Sequence, residues 1–292
     1  CLAGGVALNC VANGKIIKEK IFDNVWIQPA AGDAGGALGA AQGLWHKEFN
    51  KPRKVEVGDS MRGSYLGPSF TNSEIETALN SLGGIYNKYP KEEVIKITAE
   101  ALSKNKAIGW FNGKMEFGPR ALGARSILGD PRSPETQKNL NLKVKFRESF
   151  RPFAPSVLEE ESSNWFDLSV PSPYMLIVAE VNKGKQLADL GKDELFGIDK
   201  LNKVRSLIPA VTHVDYSARV QTVNKETNPD YHMLINEFFN LTGCPIIVNT
   251  SFNVRGEPIV HSTEDAFKCF MGTDLDILVI ENFILKKEDQ NK

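Results

Sequence analysis

FNGKMEFGPRALGARSILGDPRSPETQKNLNLKVKFRESFRPFAPS, residues 111–156, is the stretch around which the chain is organised. It carries nine cations (Lys114, Arg120, Arg125, Arg132, Lys138, Lys143, Lys145, Arg147 and Arg151) against four carboxylates (Glu116, Asp130, Glu135 and Glu148), inside a chain of net charge −1. The cations alternate with Gly, Pro and Phe, whereas a solvated helix face would intersperse Glu with Lys at i,i+4. The planar fork of arginine suits carboxylate and phosphate oxygens. The stretch therefore reads as an anion-binding cavity for phosphate esters.

Immediately before it, AIGWF (107–111) reads as a strand and Asn112-Gly113 as a turn. ALGARSIL (121–128) is apolar with Arg125 inside. If that piece is buried, the guanidinium needs a partner, because an unpaired buried charge is costly. In VKFRESFRPFAPSVL (144–158), Lys145, Arg147 and Arg151 stand beside Phe146, Phe150 and Phe153. As an extended piece it puts Lys145 and Arg147 on one face. Pro152 and Pro155 keep the backbone extended after Arg151. The competing reading is a basic surface edge that discourages strand aggregation.

Toward the C-terminus, CPIIVNTSFN (244–253) reads as a buried strand ending in polar residues. Asn249, Thr250, Ser251 and Asn253 fall where open α/β sheets place ligands, at a strand's carboxyl end, and Arg255 and Glu257 follow. A turn built from Asn and Ser side chains would look similar. EEVIKITAEALSKN (92–105), NPDYHMLINEFFNLTG (228–243, with Gly243 as C-cap) and STEDAFKCFM (262–271) read as helices, and LDILVIENFIL (275–285) as a final strand. IPAVTHVDYSARVQTV (208–223) reads as strand, turn and strand, with His213, Asp215 and Arg219 as its polar points. His213 and Asp215 are equally a base with its orienter or a satisfied turn pair. Residues 159–205 are polar and variable, and 182–200 read as a surface excursion.

CLAGGVALN (1–9) reads as a buried strand, a Gly-Gly turn and the start of a helix. Gly4 and Gly5 permit positive φ and close ligand approach, and a helix aimed at that turn suits phosphate. IFDNVWIQ (21–28) reads as a strand, followed by a small-residue helix (30–49) with Asp33 between glycines. Asp33 is either an N-cap or a ligand to a metal or sugar hydroxyl. The next residues read as a linker, out of which Thr71, Asn72 or Ser73 caps a helix. Three regions result: 1–60, a linker 61–90, and 91–292. The opening without Met or cap is expected for the C-terminal part of a longer protein.

Composition sets outer bounds. With 292 residues, 41% apolar and 24% charged, the chain suits one and a half or two globular domains. No run approaches 18 apolar residues and no charged-then-apolar leader opens the chain, so no membrane partner is expected. The four cysteines form no CxxC pair, which favours a reducing, cytoplasmic location over a disulfide or zinc framework. The four histidines show no HxxxH spacing. A pI near 6.5 speaks against nucleic-acid coating and leaves room for a local basic pocket.

Taken together, GGVALNCVANGKI, FNGKMEFGPRALGARSIL, KFRESFRPFAPS, HVDYSARVQTV and CPIIVNTSFNVRGEPIV resemble the nodulation and antibiotic O-carbamoyltransferases across nearly the whole chain. The resemblance implies an α/β fold in two units. Residues 1–60 would be the last piece of an actin-like, sugar-kinase-like carbamoyl-transfer domain. Residues 91–292 would be a twisted open α/β sheet similar to threonylcarbamoyl-adenylate synthases. That second unit would make carbamoyl adenylate from carbamoyl phosphate and ATP, and the first would pass the carbamoyl group to a small-molecule hydroxyl acceptor. Lys145, Arg147, Ser251 and Asn253 match the synthase-like Lys-x-Arg and Ser-x-Asn signature and are the catalytic candidates. Arg120 and Arg151 match carbamoyl-phosphate positions, and Lys114, Asn249, Thr250 and Arg255 join them as candidates for carbamoyl phosphate and ATP. Gly4, Gly5 and Asn9 are assigned to nucleotide in the transfer unit. Asp33 matches a metal-binding aspartate for Fe(II) or another divalent ion, whose HxxxH partners would belong to a missing N-terminal half of the same protein. No protein nucleophile is expected. The competing class is a nucleotide- or RNA-binding module, with Phe146, Phe150 and Phe153 stacking bases.

Overall fold

The computed structural model describes residues 1–55, 58–149, 151–187 and 203–291. Phe150 and most of the 182–200 excursion lie outside the described residues. Nine strands form one mixed sheet: β1 (Asn87–Lys88), β2 (Ile108–Phe111), β3 (Arg125–Gly129), β4 (Ala154–Leu158), β5 (Ile177–Glu180), β6 (Ser217–Val223), β7 (Ile246–Ser251), β8 (Ile277–Ile280) and β9 (Phe283–Lys286). Their order is β1-β9-β8-β2-β3-β7-β4-β6-β5. Only β2–β8 and β4–β6 pair in parallel. The strands β2, β3, β4 and β8 are buried along their whole length. Short apolar runs such as ILVI are what a strand covered on both faces requires.

The helices follow local signals. α1 (Cys10–Lys18) starts at Asn9, whose side chain accepts the Ala12 N–H, and α2 (Asp33–Gly43) follows it. α3 (Asn72–Ser81) carries a complete Thr71–Glu74 capping box and buries Ile75 and Leu79. α4 (Lys91–Ser103) buries Val94, Ile95, Thr98, Ala101 and Leu102, a stripe at i, i+4, i+7. The short α5 (Pro134–Asn139) and α6 (Ser162–Trp165) precede α7 (Pro229–Thr242), which stops at left-handed Gly243. α8 (Thr263–Met271) has a Ser262–Asp265 capping box.

Several local expectations change. LDILVIENFIL is a hairpin, β8 and β9 turning at Glu281-Asn282, rather than one strand. IFDNVWIQ contributes only Ile27, bridged to Leu2, and is not a strand. The piece before His213 is a 3-10 turn, Pro209–Val211, and β5 lies inside the region expected to be irregular. The expected linker is ordered from Asn72, because α3 joins the main core and β1 pairs with β9. The Lys145 region is not extended: a helical turn, Leu140–Val144, precedes it, and Lys145 itself is helical. None of α2 is buried.

The first segment docks on the sheet through α1. Asn13 Nδ2 donates to Ala7 O at 2.9 Å and Leu176 O at 3.0 Å. A Cβ on Gly14 would stand 2.3 Å from Val178 O, so only glycine lets α1 lie this close to β5.

The loop 118–124 is fixed from three sides. Glu116 Oε1 accepts the N–H groups of Leu122 (2.6 Å), Ala124 (2.8 Å) and Arg125 (3.3 Å). Tyr65 donates its hydroxyl to Leu122 O at 2.8 Å. Gly123, at φ +104°, lies against Tyr231, whose ring would be 2.3 Å from an added Cβ. Gly123→Ala should therefore destabilise the protein by about 2–4 kcal/mol, combining positive-φ strain with overpacking. Urea unfolding measures it, and a loss below about 1 kcal/mol would contradict this packing.

Candidate functional site

Register places the site. Asn249 of β7 lies directly opposite Leu128 of β3 and Ala154 of β4, and Ser156 of β4 lies opposite Gln221 of β6. Alternation along each strand then puts Asn249 and Ser251 of β7, Ser156 of β4, and Arg219 and Gln221 of β6 on one face. Their polar groups form a buried network. Asn249 Nδ2 donates to Ala121 O (3.2 Å) and Gln221 Oε1 (2.8 Å). Gln221 Nε2 donates to Leu122 O at 2.7 Å, and Ser156 Oγ donates to Gln221 Oε1 at 2.6 Å. The network ties the loop 118–124 to the sheet and holds Arg120 at its edge.

Beside this network is a cavity of about 430 Å³, at the carboxyl end of β7. Arg120, Arg147, Arg151 and Arg219 line it with Asn249, Thr250 and Ser251, and Cys10, Val11 and His213 complete part of its wall. Among the described residues no carboxylate lines it. Arg151 pairs with Glu148 at 3.0 Å. Arg147 Nε donates to Asn141 Oδ1 at 2.6 Å, and its guanidinium lies 5.0 Å from the Phe153 ring centroid. Arg120 Nε is buried without a partner among the described residues. Burial and then the charge of Arg120 hold Arg219 well below its usual pKa. Burial and Arg151 act likewise on Arg147. Only Arg151 of these four cations has a carboxylate partner among the described residues, and such crowding is the electrostatic complement of an anion.

Lys145 lies behind the end of β7. Its Nζ donates to Ser251 O, to Ser251 Oγ (3.2 Å), to Asn253 O (2.9 Å) and to Asn253 Oδ1 (2.7 Å). Ser251 Oγ donates to Asn253 Oδ1 at 2.7 Å. Two segments about a hundred residues apart in sequence are thereby locked together. Burial first, then Arg147, pull the Lys145 amine down to about 7.

The other sequence candidates fall elsewhere. Lys114 is exposed on the turn after β2, and Arg255 is exposed in the loop after Asn253; neither lines the cavity. Asn253 Nδ2 donates to Glu257 O at 2.7 Å. Gly4 has φ +90° and open space around it, Gly5 is also unenclosed, and Asn9 is the cap of α1. Asp33 is exposed in the first turn of α2; the cap residue is Gly32, so Asp33 is not the N-cap. Among the described residues no three His, Cys, Asp or Glu side chains converge, so Asp33 offers one isolated carboxylate and the residues present do not make up a metal site. Phe153 is buried and Phe146 half-exposed, so the described aromatics do not form a stacking row. Arg125 is fully buried, donates to the carbonyls of Asn112, Gly113, Ala124 and Pro68, and lies 3.5 Å from the Phe111 ring centroid. Sequence reasoning did not place Arg219 or Cys10 in the site. Period-two alternation from Gln221 was the one signal for Arg219.

The fold is a mixed α/β sheet with an arginine-lined cavity at the carboxyl end of β7. The chain belongs to the carbamoyltransferase family: residues 99–287 match the model described as Carbamoyltransferase C-terminus, and residues 1–42 match that of Carbamoyltransferase N-terminus. An uncharacterized protein of Synechocystis sp. is 58% identical over 99% of this chain and 48% of its own length. Nodulation protein NolO of Bradyrhizobium diazoefficiens is 42% identical over 98% of this chain and 49% of its own. The chain thus spans about half the length of these curated relatives. A solved structure of full-length HypF in a phosphate- and nucleotide-bound form aligns with 66% of this chain and 21% of its own at 20% identity and a TM-score of 0.40, too slight a likeness to carry function.

Two outcomes follow from the crowded charges. Inorganic tripolyphosphate should raise the melting temperature of the parent by several degrees, as any ligand of the folded state does, and less than half as far in Arg120→Ala. Without ligand, Arg219→Leu should be at least as stable as the parent; a loss above about 2 kcal/mol would contradict the repulsion. Lys145 adds a pH effect. Its folded value is about 7 against an ordinary 10.5, so between those values the unfolded chain binds a proton that the folded chain lacks. Stability should therefore rise with pH across that window, and Lys145→Met should flatten the rise in urea titrations.

Proposed function

We propose that this chain carries the carbamoyl-activating site of its family: it binds carbamoyl phosphate and ATP and forms carbamoyl adenylate for transfer to a hydroxyl acceptor. The observation that carries the reading is the carboxylate-free arginine cavity against Asn249–Ser251, with Lys145 bound to Ser251 and Asn253. Carbamoyl phosphate and the ATP triphosphate repel one another, and dense fixed cations offset that repulsion. Atom balance gives three products: carbamoyl adenylate, pyrophosphate from the α–β phosphoanhydride of ATP, and inorganic phosphate from carbamoyl phosphate, with one water consumed. The bond formed joins a carbamoyl oxygen to the α-phosphorus.

In this scheme Arg120, Arg151 and Arg219 hold phosphoryl oxygens, and Arg147 and Lys145 stabilise charge developing at the α-phosphorus. Ser251 and Asn253 orient Lys145. The work is positioning and electrostatics, with no covalent enzyme intermediate. We assign residues 1–60 to the transfer unit and the sheet to the activating unit, with the boundary placed before Asn72, where α3 enters the core. The relatives' remaining length is proposed to complete the transfer unit, including any metal site and the acceptor contacts. Cytoplasmic location accords with four free cysteines, and no helix among the described residues is long and apolar enough to cross a membrane.

Lys145→Ala should lower carbamoyl-phosphate-dependent release of pyrophosphate from ATP at least about a hundredfold, the range of a lost transition-state cation. Circular dichroism of Lys145→Ala at the assay temperature separates loss of the cation from loss of folding. Mass spectrometry of the products identifies carbamoyl adenylate. Undiminished pyrophosphate release in Lys145→Ala would remove the assignment.

A further inference from the structure

The turn before β6 carries polar side chains with no part in the scheme above. His213 N–H donates to Ser217 O at 2.8 Å and the Ser217 N–H donates to Asp215 Oδ1 at 3.1 Å, which closes the turn. Ser217 Oγ donates its single proton to Asp215 Oδ1 at 2.6 Å. That hydroxyl also lies 3.0 Å from His213 Nδ1, where it can only accept. Nδ1 therefore holds the ring proton, and in the neutral ring Nε2 is an acceptor. The ring lines the arginine cavity.

Guanidinium groups only donate, so acceptors on this wall are informative. Asn249 supplies a second, deeper one. Its Nδ2 faces the Ala121 carbonyl, which can only accept, so the amide orientation is settled by chemistry. Asn249 Oδ1 is left buried without a donor among the described residues. A buried carbonyl without a donor is unfavourable until an N–H reaches it.

We propose that His213 Nε2, backed by Asn249 Oδ1, accepts an N–H of the ligand, so that the cavity selects an amide-bearing acyl phosphate over its methyl isostere. The probe pair is carbamoyl phosphate and acetyl phosphate, which differ by NH₂ against CH₃. This rests on the reading of the cavity as the carbamoyl-phosphate site. His213 is a specificity-determining residue in this scheme. The charged and titratable groups facing it are Asp215 from its own turn, Arg219 from β6, Arg120 from the loop 118–124, Arg147 and Arg151 from the segment before β4, and Cys10 from α1. Burial keeps the ring's pKa below its usual value, with Arg219 acting in the same sense and Asp215 against it. The ring is thus neutral at pH 8. On protonation Nε2 becomes a donor and a further cation, so selection for N–H is lost as pH falls below the ring's pKa.

Isothermal titration of the full chain with both probes tests this. At pH 8 the parent should bind carbamoyl phosphate at least about tenfold tighter than acetyl phosphate, since a buried acceptor rejects a methyl group. His213→Phe should bring the two within about threefold, mainly by weakening carbamoyl phosphate. His213→Gln, which keeps an acceptor oxygen, should retain part of the preference. The parent's preference should shrink as pH falls through the titration of the His213 ring, followed by NMR of that ring, and that of His213→Phe should not change with pH. A parental preference carried unchanged into folded His213→Phe overturns the assignment while leaving the cavity reading intact. If neither probe binds the parent, and Arg120→Ala alters nothing, both fall together.

Discussion

Asn249 is one residue on β7, an interior strand of a nine-stranded sheet, and the site hangs on where its amide protons go. Both are donated, one to the Ala121 carbonyl and one to Gln221. Gln221 passes the constraint on to Leu122. Two consecutive carbonyls of the loop 118–124 are thereby fixed to the sheet from below, while Glu116 collects the loop's N–H groups from the other side. The loop carries Arg120, whose buried Nε has no partner among the described residues. A guanidinium facing other guanidiniums stays in place only if the backbone beneath it cannot yield. Buried, fully paired polar networks supply that rigidity, and half-paired ones do not. Among the described residues Asn249 Oδ1 and Glu116 Oε2 are both left without a donor, and Asn249 is the one of the two at the cavity wall.

The same constraint explains why two parts of the chain distant in sequence form one site. Lys145 ends a helical turn, and its amine has four oxygen partners, all from Ser251 and Asn253. Burial and Arg147 disfavour the ammonium there. The four oxygen partners do not offset these effects, and the amine titrates close to neutral pH, at about 7. An arriving anion tips the amine toward the ammonium, since it adds negative charge without adding burial. Stability is lowered in the ligand-free state in order to have charge ready for the ligand, a common arrangement at functional sites.

Much of the framework was legible because it is written locally. The capping box at Thr71, the i,i+4 stripe of α4, Gly243 after α7 and the apolar run of β7 each act within one element. The failures are non-local. A run of eleven apolar-rich residues, 275–285, reads as one strand until Glu281 and Asn282 are found turning it into a hairpin. IFDNVWIQ has strand composition but finds a partner only at Leu2. For the site, charge density pointed to Arg120, Arg147 and Arg151. It also pointed to Lys114 and Arg255, which lie outside the cavity, because composition says nothing about which way a loop faces. Arg219 was hidden in a strand whose pairing with β4 and β5 brings it to the site, and no residue near it in sequence signals that pairing.

Arg125 shows how partners separate roles among similar side chains. It lies in the same basic stretch as Arg120 and is the more buried of the two. Yet it donates to four carbonyls and stacks on Phe111, so its charge is spread over main-chain dipoles and an aromatic face. Arg132 is likewise spoken for, by Asp130 at 2.6 Å. Arg120 and Arg219 have cationic neighbours instead. Burial alone would rank Arg125 first as a ligand residue, but its terminal nitrogens are spent on the protein's own carbonyls, and only its Nε is left without an acceptor among the described residues. A guanidinium whose donors end on the protein's own oxygens organises the fold, and one whose donors end in a cavity is arranged for something that enters it.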